Sequence, residues 1–151
     1  MQLKIVCWLN GANLLWADLT HANLTGATLK EALYCSHTKW PKGFDHRTIK
    51  AHCIGPNSSL SGVDLRFRCL YEAELVGADL SEAKLDGVNL RLAQLEGANL
   101  SDADLSNADL SGAYLNNADL RGAILEGTIL EGIESNDQTR WPRSFNIDRL
   151  T

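Results

Sequence analysis

Residues 73–130 read AELVGADLSEAKLDGVNLRLAQLEGANLSDADLSNADLSGAYLNNADLRGAILEGTIL. A leucine falls every five residues, at Leu75, Leu80, Leu85, Leu90, Leu95, Leu100, Leu105, Leu110, Leu115, Leu120, Leu125 and Leu130. Two places ahead of each stands a small residue, nearly always alanine: Ala73, Ala78, Ala83, Val88, Ala93, Ala98, Ala103, Ala108, Ala113, Ala118, Ala123 and Thr128. On an α-helix five residues advance about 500°, so the leucines would scatter around the cylinder and leave no face to bury. A continuous strand has period two and fails as well. What fits is a short extended piece followed by a corner. The Ala and the Leu, two apart, point to one side and the residue between them points away. The next pair, often Ser-Gly, Asp-Gly or Asn-Asn, has turn chemistry. The pattern in, out, in, out, out coils the chain around its own leucines. Stacked coils then pair their backbone groups with the coils above and below, about 4.8 Å away.

These twelve units resemble the pentapeptide-repeat family, whose units read A-[DN]-L-x-x. The resemblance rests on the Ala/Leu series and on Asp79, Asn89, Asn99, Asp104, Asp109 and Asp119 between them. It implies an all-β, right-handed quadrilateral β-helix, a solenoid of about five coils with twenty residues each. The expected core is the leucine column from Leu75 to Leu125 with Ala78, Ala98, Ala103, Ala108 and Ala118 beside it. With four sides, residues twenty apart share a face: Ser59, Asp79, Asn99 and Asp119; Asp64, Lys84, Asp104 and Ile124; Cys69, Asn89, Asp109 and Ile129; Glu74, Gln94 and Tyr114.

Working outward, the same period appears in residues 1–34, with leucines at 9, 14, 19, 24 and 29 and Tyr34 in the sixth place. Residues 35–57, CSHTKWPKGFDHRTIKAHCIGPN, break the frame and read as an inserted loop with a short helix from His46 to Lys50, capped by Asp45. The main array spans 58–133 and a C-terminal cap segment 134–151, all within one β-helical domain. The phrase Thr38-Lys39-Trp40-Pro41-Lys42-Gly43-Phe44-Asp45 returns 101 residues later as Thr139-Arg140-Trp141-Pro142-Arg143-Ser144-Phe145-Asn146. Solenoid ends need covering, and Trp40, Phe44, Trp141 and Phe145 are the expected capping residues. The C-terminal segment is expected to fold over Ile124 and Ile129, which face outward yet are apolar. Trp8 and Trp16 also fall on outward positions, where the insertion is expected to cover them. Arg68 occupies a small inward position, so either the coil bulges there or the arginine reaches a carboxylate.

The net charge is −5 and is uneven: residues 58–133 hold thirteen acids and five bases, whereas residues 1–57 hold six bases and three acids. That balance argues against a basic nucleic-acid binder, so no direct nucleic-acid binding is expected. No apolar run is long enough to cross a membrane, and the start lacks a secretory pattern; a cytoplasmic protein is expected. Cys7, Cys35, Cys53 and Cys69 form no metal or redox spacing and read as thiols. Cys35, His37, His46, His52 and Cys53 are too scattered for a zinc site. No nucleophile–base pair or phosphate loop is present, so neither catalytic residue, cofactor nor metal is expected. The expected function is a non-enzymatic structural or protein-interaction module, monomeric or weakly dimeric through a solenoid end, with its partner unassigned. The alternative is a DNA mimic. Some members of the family resist quinolones by inhibiting DNA gyrase, and Asp102, Asp104, Asp109 and Asp119 would then form the acidic interaction surface.

Overall fold

Each five-residue unit folds as a short extended segment closed by a β-turn. In the unit around Leu75, the Ala78 amide donates to the Leu75 carbonyl at 3.0 Å, and Gly77, third in the turn, has φ 65°. Positive φ at that third position, and there alone, is the type II pattern. The same corner recurs every five residues through Gly132 (φ 65°). Three further bonds per unit run between layers. Leu80 donates to the Asn99 carbonyl at 2.7 Å, Asp79 to the Ser58 carbonyl at 2.9 Å, and Gly77 to the Glu96 carbonyl at 2.9 Å. Almost every extended piece is too short to be more than an isolated parallel bridge, so β-structure is distributed among many single pairings.

The computed structural model describes residues 9–146. Cys7 and Trp8 lie outside the described residues. The chain divides into two compact units, Met1–Ile54 and Gly55–Thr151. The second unit carries four ladders of parallel bridges, each advancing twenty residues per rung: Ser59, Asp79, Asn99, Asp119; Asp64, Lys84, Asp104, Ile124; Cys69, Asn89, Asp109, Ile129; and Glu74, Gln94, Tyr114, Glu134. Inside them Leu75, Leu80, Leu85, Leu90, Leu95, Leu100, Leu105, Leu110, Leu115 and Leu120 have no exposed surface, nor do Ala78, Ala98, Ala103, Ala108 and Ala118. Leu125 is half-buried. Where Thr128 takes the small position, its hydroxyl donates to the Leu105 carbonyl at 2.8 Å, which satisfies that polar atom. Arg68 keeps the regular backbone bonds, donating to Leu65 at 3.1 Å and accepting from Asn89 at 2.9 Å, so the coil does not bulge. Its side chain is half-buried rather than enclosed.

In the first unit, residues 35–54 leave the five-residue frame without leaving the ladder. β1 (Leu33–Tyr34) pairs in parallel with β2 (His52–Cys53), and Lys39 bridges Asp18. The segment between forms a 3-10 turn, His46–Thr48, whose N-cap is Asp45; its carboxylate accepts from the Arg47 amide at 3.1 Å. The helix is shorter than the sequence suggests because Ile49 is already extended (φ −89°, ψ 146°) and feeds β2.

Both Trp-Pro phrases adopt one local structure. Thr38 is buried and donates its hydroxyl to the Leu14 carbonyl at 2.8 Å; Thr139 is buried and donates to the Leu115 carbonyl at 2.9 Å. The Phe44 amide closes on the Pro41 carbonyl at 3.0 Å and the Phe145 amide on Pro142 at 2.9 Å. Trp40 stacks on Phe44 at 5.2 Å and Trp141 on Phe145 at 4.7 Å. Even the ion pairs correspond: Lys39 to Asp18 at 3.1 Å, Arg140 to Asp119 at 3.6 Å. Because Arg140 joins the Asp119 ladder, the residues described up to Asn146 do not close over Ile124 and Ile129, which stay 51% and 44% exposed.

Candidate functional site

The outward columns carry the charge, and the local fold dictates how they hold it. A residue between Ala and Leu lies two places before a turn amide, within reach of an Asp or Asn side chain. The Asp104 Oδ1 accepts the Ser106 amide at 3.1 Å and its hydroxyl at 2.6 Å; Asp109 Oδ1 holds Ser111 at 2.9 and 2.6 Å; Asp79 Oδ1 holds Ser81 at 3.1 and 2.7 Å. Each carboxylate is thereby a turn cap that uses one oxygen and leaves the other outside the turn. Where arginine follows, the pair becomes an ion pair as well. Arg121 grips Asp119 through Nη2 at 2.6 Å and Nε at 2.9 Å, and Arg66 grips Asp64 at 2.6 and 2.9 Å.

These bonds keep the carboxyls ionised. The Arg66 guanidinium holds Asp64 down to about 2. The Ser81 and Ser106 hydroxyls and amides hold Asp79 and Asp104 below the ordinary range, and Arg121 does so for Asp119. For Asp109 burial pushes upward, but Ser111 and Arg91 together outweigh it and the net direction is down. In the first unit Asp18 is lowered to about 2 by the Thr20 hydroxyl, the Thr20 amide and Lys39.

The four acids singled out in the sequence do not form one cluster. Asp102 sits at a corner with φ 57° and Asp104 follows on the adjoining side; Asp109 belongs to the next ladder and Asp119 to the one before. Arg91 approaches Asp109 at 3.8 Å, and Arg121 and Arg140 both reach Asp119. Sequence reasoning counted these acids but missed that arginines two, eighteen or twenty-one residues away neutralise part of them. The D-x-R spacing at Asp64 and Asp119 was the signal available.

Trp40 is sandwiched between Phe44 and His46 (5.4 Å, interplanar 1°), with Tyr34 edge-on at 5.7 Å. Trp16 stacks on His37 at 4.2 Å, yet remains 54% exposed. The inserted segment thus covers one of its faces only. Cys35 and Cys53 are free cysteines, half-buried and exposed respectively, and Cys69 is exposed. Among the described residues no group of three or more His, Cys, Asp or Glu is placed to hold a metal ion, and no helix is long and apolar enough to cross a membrane. An open groove of about 410 Å³ lies in the second unit between Gly122–Glu126 and Pro142–Phe145. Its lining has no catalytic constellation.

The profile of the family described as Pentapeptide repeats matches residues 7–33, 58–97 and 93–132, in eight copies. Among solved structures the chain is similar to a pentapeptide repeat protein, Rfr23, from the cyanobacterium Cyanothece 51142. That match has 29% identity, 89% of this chain and 88% of that one, and a TM-score of 0.43. It is also similar to alr5209, a pentapeptide repeat protein from Nostoc Pcc 7120, with 37% identity over 62% of this chain and 77% of that one, TM-score 0.42. A third is full-length QnrB1, a plasmid-mediated fluoroquinolone resistance protein, with 16% identity over 87% of this chain and 93% of that one, TM-score 0.21. No curated protein matches. In view of the matches to QnrB1, a plasmid-mediated fluoroquinolone resistance protein, the expectation of no direct nucleic-acid binding is withdrawn. It was drawn from net charge, which sums over all faces and describes none of them. With its five-residue period, its twenty-residue ladders and a profile match over most of its length, this chain belongs to the pentapeptide-repeat family.

Proposed function

We propose that this non-catalytic repeat protein is a docking module that offers fixed carboxylates to a cationic protein groove, of the kind a DNA-binding enzyme such as DNA gyrase uses to hold its substrate. The observation that carries this reading is the set of turn-capping acids, Asp64, Asp79, Asp104, Asp109 and Asp119, each held ionised at a set position in a ladder. Layers about 4.8 Å apart carry several acids each, and duplex DNA carries one charge per ~1.7 Å; the two densities are of one order. A right-handed quadrilateral coil of about five turns belongs to the same proposal. A second reading, a structural or interaction module whose partner ignores these charges, is supported by the arginines that already neutralise Asp64, Asp109 and Asp119.

The experiment is a supercoiling assay with purified DNA gyrase, paired with affinity capture from a bacterial lysate at low and moderate salt. The comparison variant carries Asp102→Lys, Asp104→Lys and Asp109→Lys. Inhibition or capture of a DNA-handling enzyme, lost in the variant and weakened by salt, supports mimicry. Capture of another protein equally by both forms, without effect on gyrase, establishes the second reading instead.

A further inference from the structure

The likeness between the two Trp-Pro phrases reaches further back along the chain. At the same offset of 101, Leu29, Ala32, Leu33 and Tyr34 correspond to Leu130, Ile133, Glu134 and Ser135. The two segments are bonded alike to the layer beneath. The Leu33 amide donates to the Ala12 carbonyl at 2.8 Å and the Glu134 amide to that of Ala113 at 2.9 Å. The Leu33 carbonyl accepts from Leu14 at 2.8 Å and the Glu134 carbonyl from Leu115 at 2.6 Å. Each is a parallel bridge, Asn13 with Leu33 and Tyr114 with Glu134.

Their upper edges differ. In the first unit a further strand lies there: the Glu31 amide donates to Lys50 at 2.6 Å, Ala32 accepts from His52 at 2.8 Å and Tyr34 from Ile54 at 2.7 Å. That strand also covers apolar surface, because Ile49 and Ala51 pack on the cluster of Leu14, Leu29 and Ala32. In the second unit the corresponding groups are the Gly132 amide and the Ile133 and Ser135 carbonyls. They make no backbone bond among the described residues. Leu130 and Ile133 are half-buried, whereas Leu29 and Ala32 are buried. An open groove of about 400 Å³ lies beside them, lined by Asn116, Leu130 and residues 132–135. The filled copy of this edge shows what fits the other: a parallel extended strand with apolar residues two apart.

Charge narrows the occupant further. Residues 122–138 hold four acids, Glu126, Glu131, Glu134 and Asp137, and no base. All four are exposed, and none takes part in an ion pair among the described residues. The strand that fills the first edge has the complementary composition: residues 46–54 contain Arg47 and Lys50 and no acid. An acidic strand would meet like charges here, and a basic one would not.

We propose that edge 132–135 of the second unit takes up a basic, extended segment of a partner protein as a parallel strand. Two apolar residues of that segment, two apart, cover Leu130 and Ile133, and a lysine or arginine between them stands among Glu131 and Glu134. The edge uses none of the turn-capping acids of the ladders and does not depend on what they bind.

The test uses the full chain and a fluorescent peptide copied from residues 47–55, with serine in place of Cys53. Binding is read by anisotropy and located by amide chemical shifts. The peptide is expected to bind with its largest shifts at Gly132, Ile133, Glu134 and Ser135. N-methylation of the peptide amides that copy His52 and Ile54 removes the donors for Ile133 and Ser135, and should weaken binding about tenfold or more. Glu131→Lys/Glu134→Lys, at two exposed positions, should weaken it about as much at low salt while melting like wild type. A peptide with glutamate at the Arg47 and Lys50 places should prefer that variant over wild type. The proposal is overturned if the peptide fails to bind at millimolar concentration, or if N-methylation or charge reversal changes nothing. Shifts at Glu31, Ala32 and Tyr34 instead would also overturn it, since the peptide would then be exchanging with the chain's own strand. So would binding only after removal of residues 147–151, or dispersal of a dimer by the peptide in sedimentation; the occupant would then be the chain's own end or a second copy.

Discussion

The two units apply one sequence rule at different depths of stacking. In the second, leucines from Leu60 to Leu120 are sealed from solvent, and the small residues beside them from Ala73 onward are buried as well. In the first, Leu14, Leu24 and Leu29 are buried, but Leu9 and Leu19 are half-exposed, and so are Ala12, Ala17, Ala22 and Ala27. A repeat is closed by its neighbours along the stack, so an inner layer is covered twice and a terminal one once. The first unit compensates with aromatic rings. Trp40 and Phe44 pack against the cluster of Leu14, Leu29 and Ala32, and Tyr34 and His46 add edge and face contacts to Trp40. The five-residue period therefore specifies which way a side chain points, and the number of layers decides what pointing inward contributes.

The most damaging way to break that comparison is a charge in each column. Leu105→Asp buries an unpaired carboxylate and is expected to abolish the cooperative unfolding of the second unit, a loss above about 4 kcal/mol. Leu19→Asp should cost far less, because its site is already half open. Thermal unfolding followed by circular dichroism checks both, and equal losses would mean that stacking depth is irrelevant. Next come the two Trp-Pro phrases. Among the described residues Trp40 has three ring partners and Trp141 one, Phe145. Trp40→Ala should cost about 3 kcal/mol, near the low end for aromatic truncation, and Trp141→Ala less. A capping role for Trp141 predicts further that its removal raises the association seen in sedimentation; unchanged sedimentation would speak against a lid.

Smaller effects separate one corner from another. An alanine Cβ at Gly87 would stand 2.5 Å from the Phe67 ring, whereas at Gly97 it meets nothing within 4 Å. Both positions have positive φ (63° and 66°), so Gly97→Ala reports the left-handed cost alone, about 1–2 kcal/mol. Gly87→Ala adds the displacement of the ring, and Phe67→Asn in the same chain should remove that excess. A double-mutant cycle on melting curves reads it. The smallest effects lie in the acids. Asp104→Asn keeps an oxygen for the Ser106 amide, while Asp104→Ala loses that bond and about 0.5–1.5 kcal/mol. The capping carboxyls have folded values below the unfolded value of about 3.9. Their contribution is therefore complete above about pH 4 and lost as pH falls through the folded values, about 2 for Asp64. A modest fall in melting temperature between pH 5 and pH 2 is expected, and a rise over that window would reverse the sign of the account.

Much of this was legible in the residues, and what was not has definite physical causes. Period five excluded helix and strand, and the spacing of twenty placed Asp79 beside Asn99 and Lys84 beside Asp104. Asp104 and its equivalents read only as outward acids of an interaction surface, because nothing in a period shows that Oδ1 reaches the amide two places on. The break at 35–57 read as an excursion, because the frame counts residues while the ladder counts layers. Lys39 regains its place against Asp18 after twenty-one residues and His52 against Leu33 after nineteen. Outward apolar residues at Ile124 and Ile129 suggested a cover, yet the described cap follows the Asp119 ladder instead. Phe67 stands in the sequence simply as the neighbour of Arg68. That it pays conformational strain to stand exposed is a property of φ, which the sequence does not print.

The central claim is that layer depth, rather than the repeat itself, sets stability. Residue-resolved native-state hydrogen exchange of the full chain tests it most directly. The inter-layer amides of Leu80, Asp104, Leu105 and Asp109, which donate across layers at 2.7–3.0 Å, are expected to exchange only through global opening of the second unit. Those of Leu9, Leu14 and Leu19 should exchange through smaller openings at least about 2 kcal/mol cheaper, roughly thirtyfold faster. Uniform protection across both sets, or faster exchange in the inner layers, would contradict it.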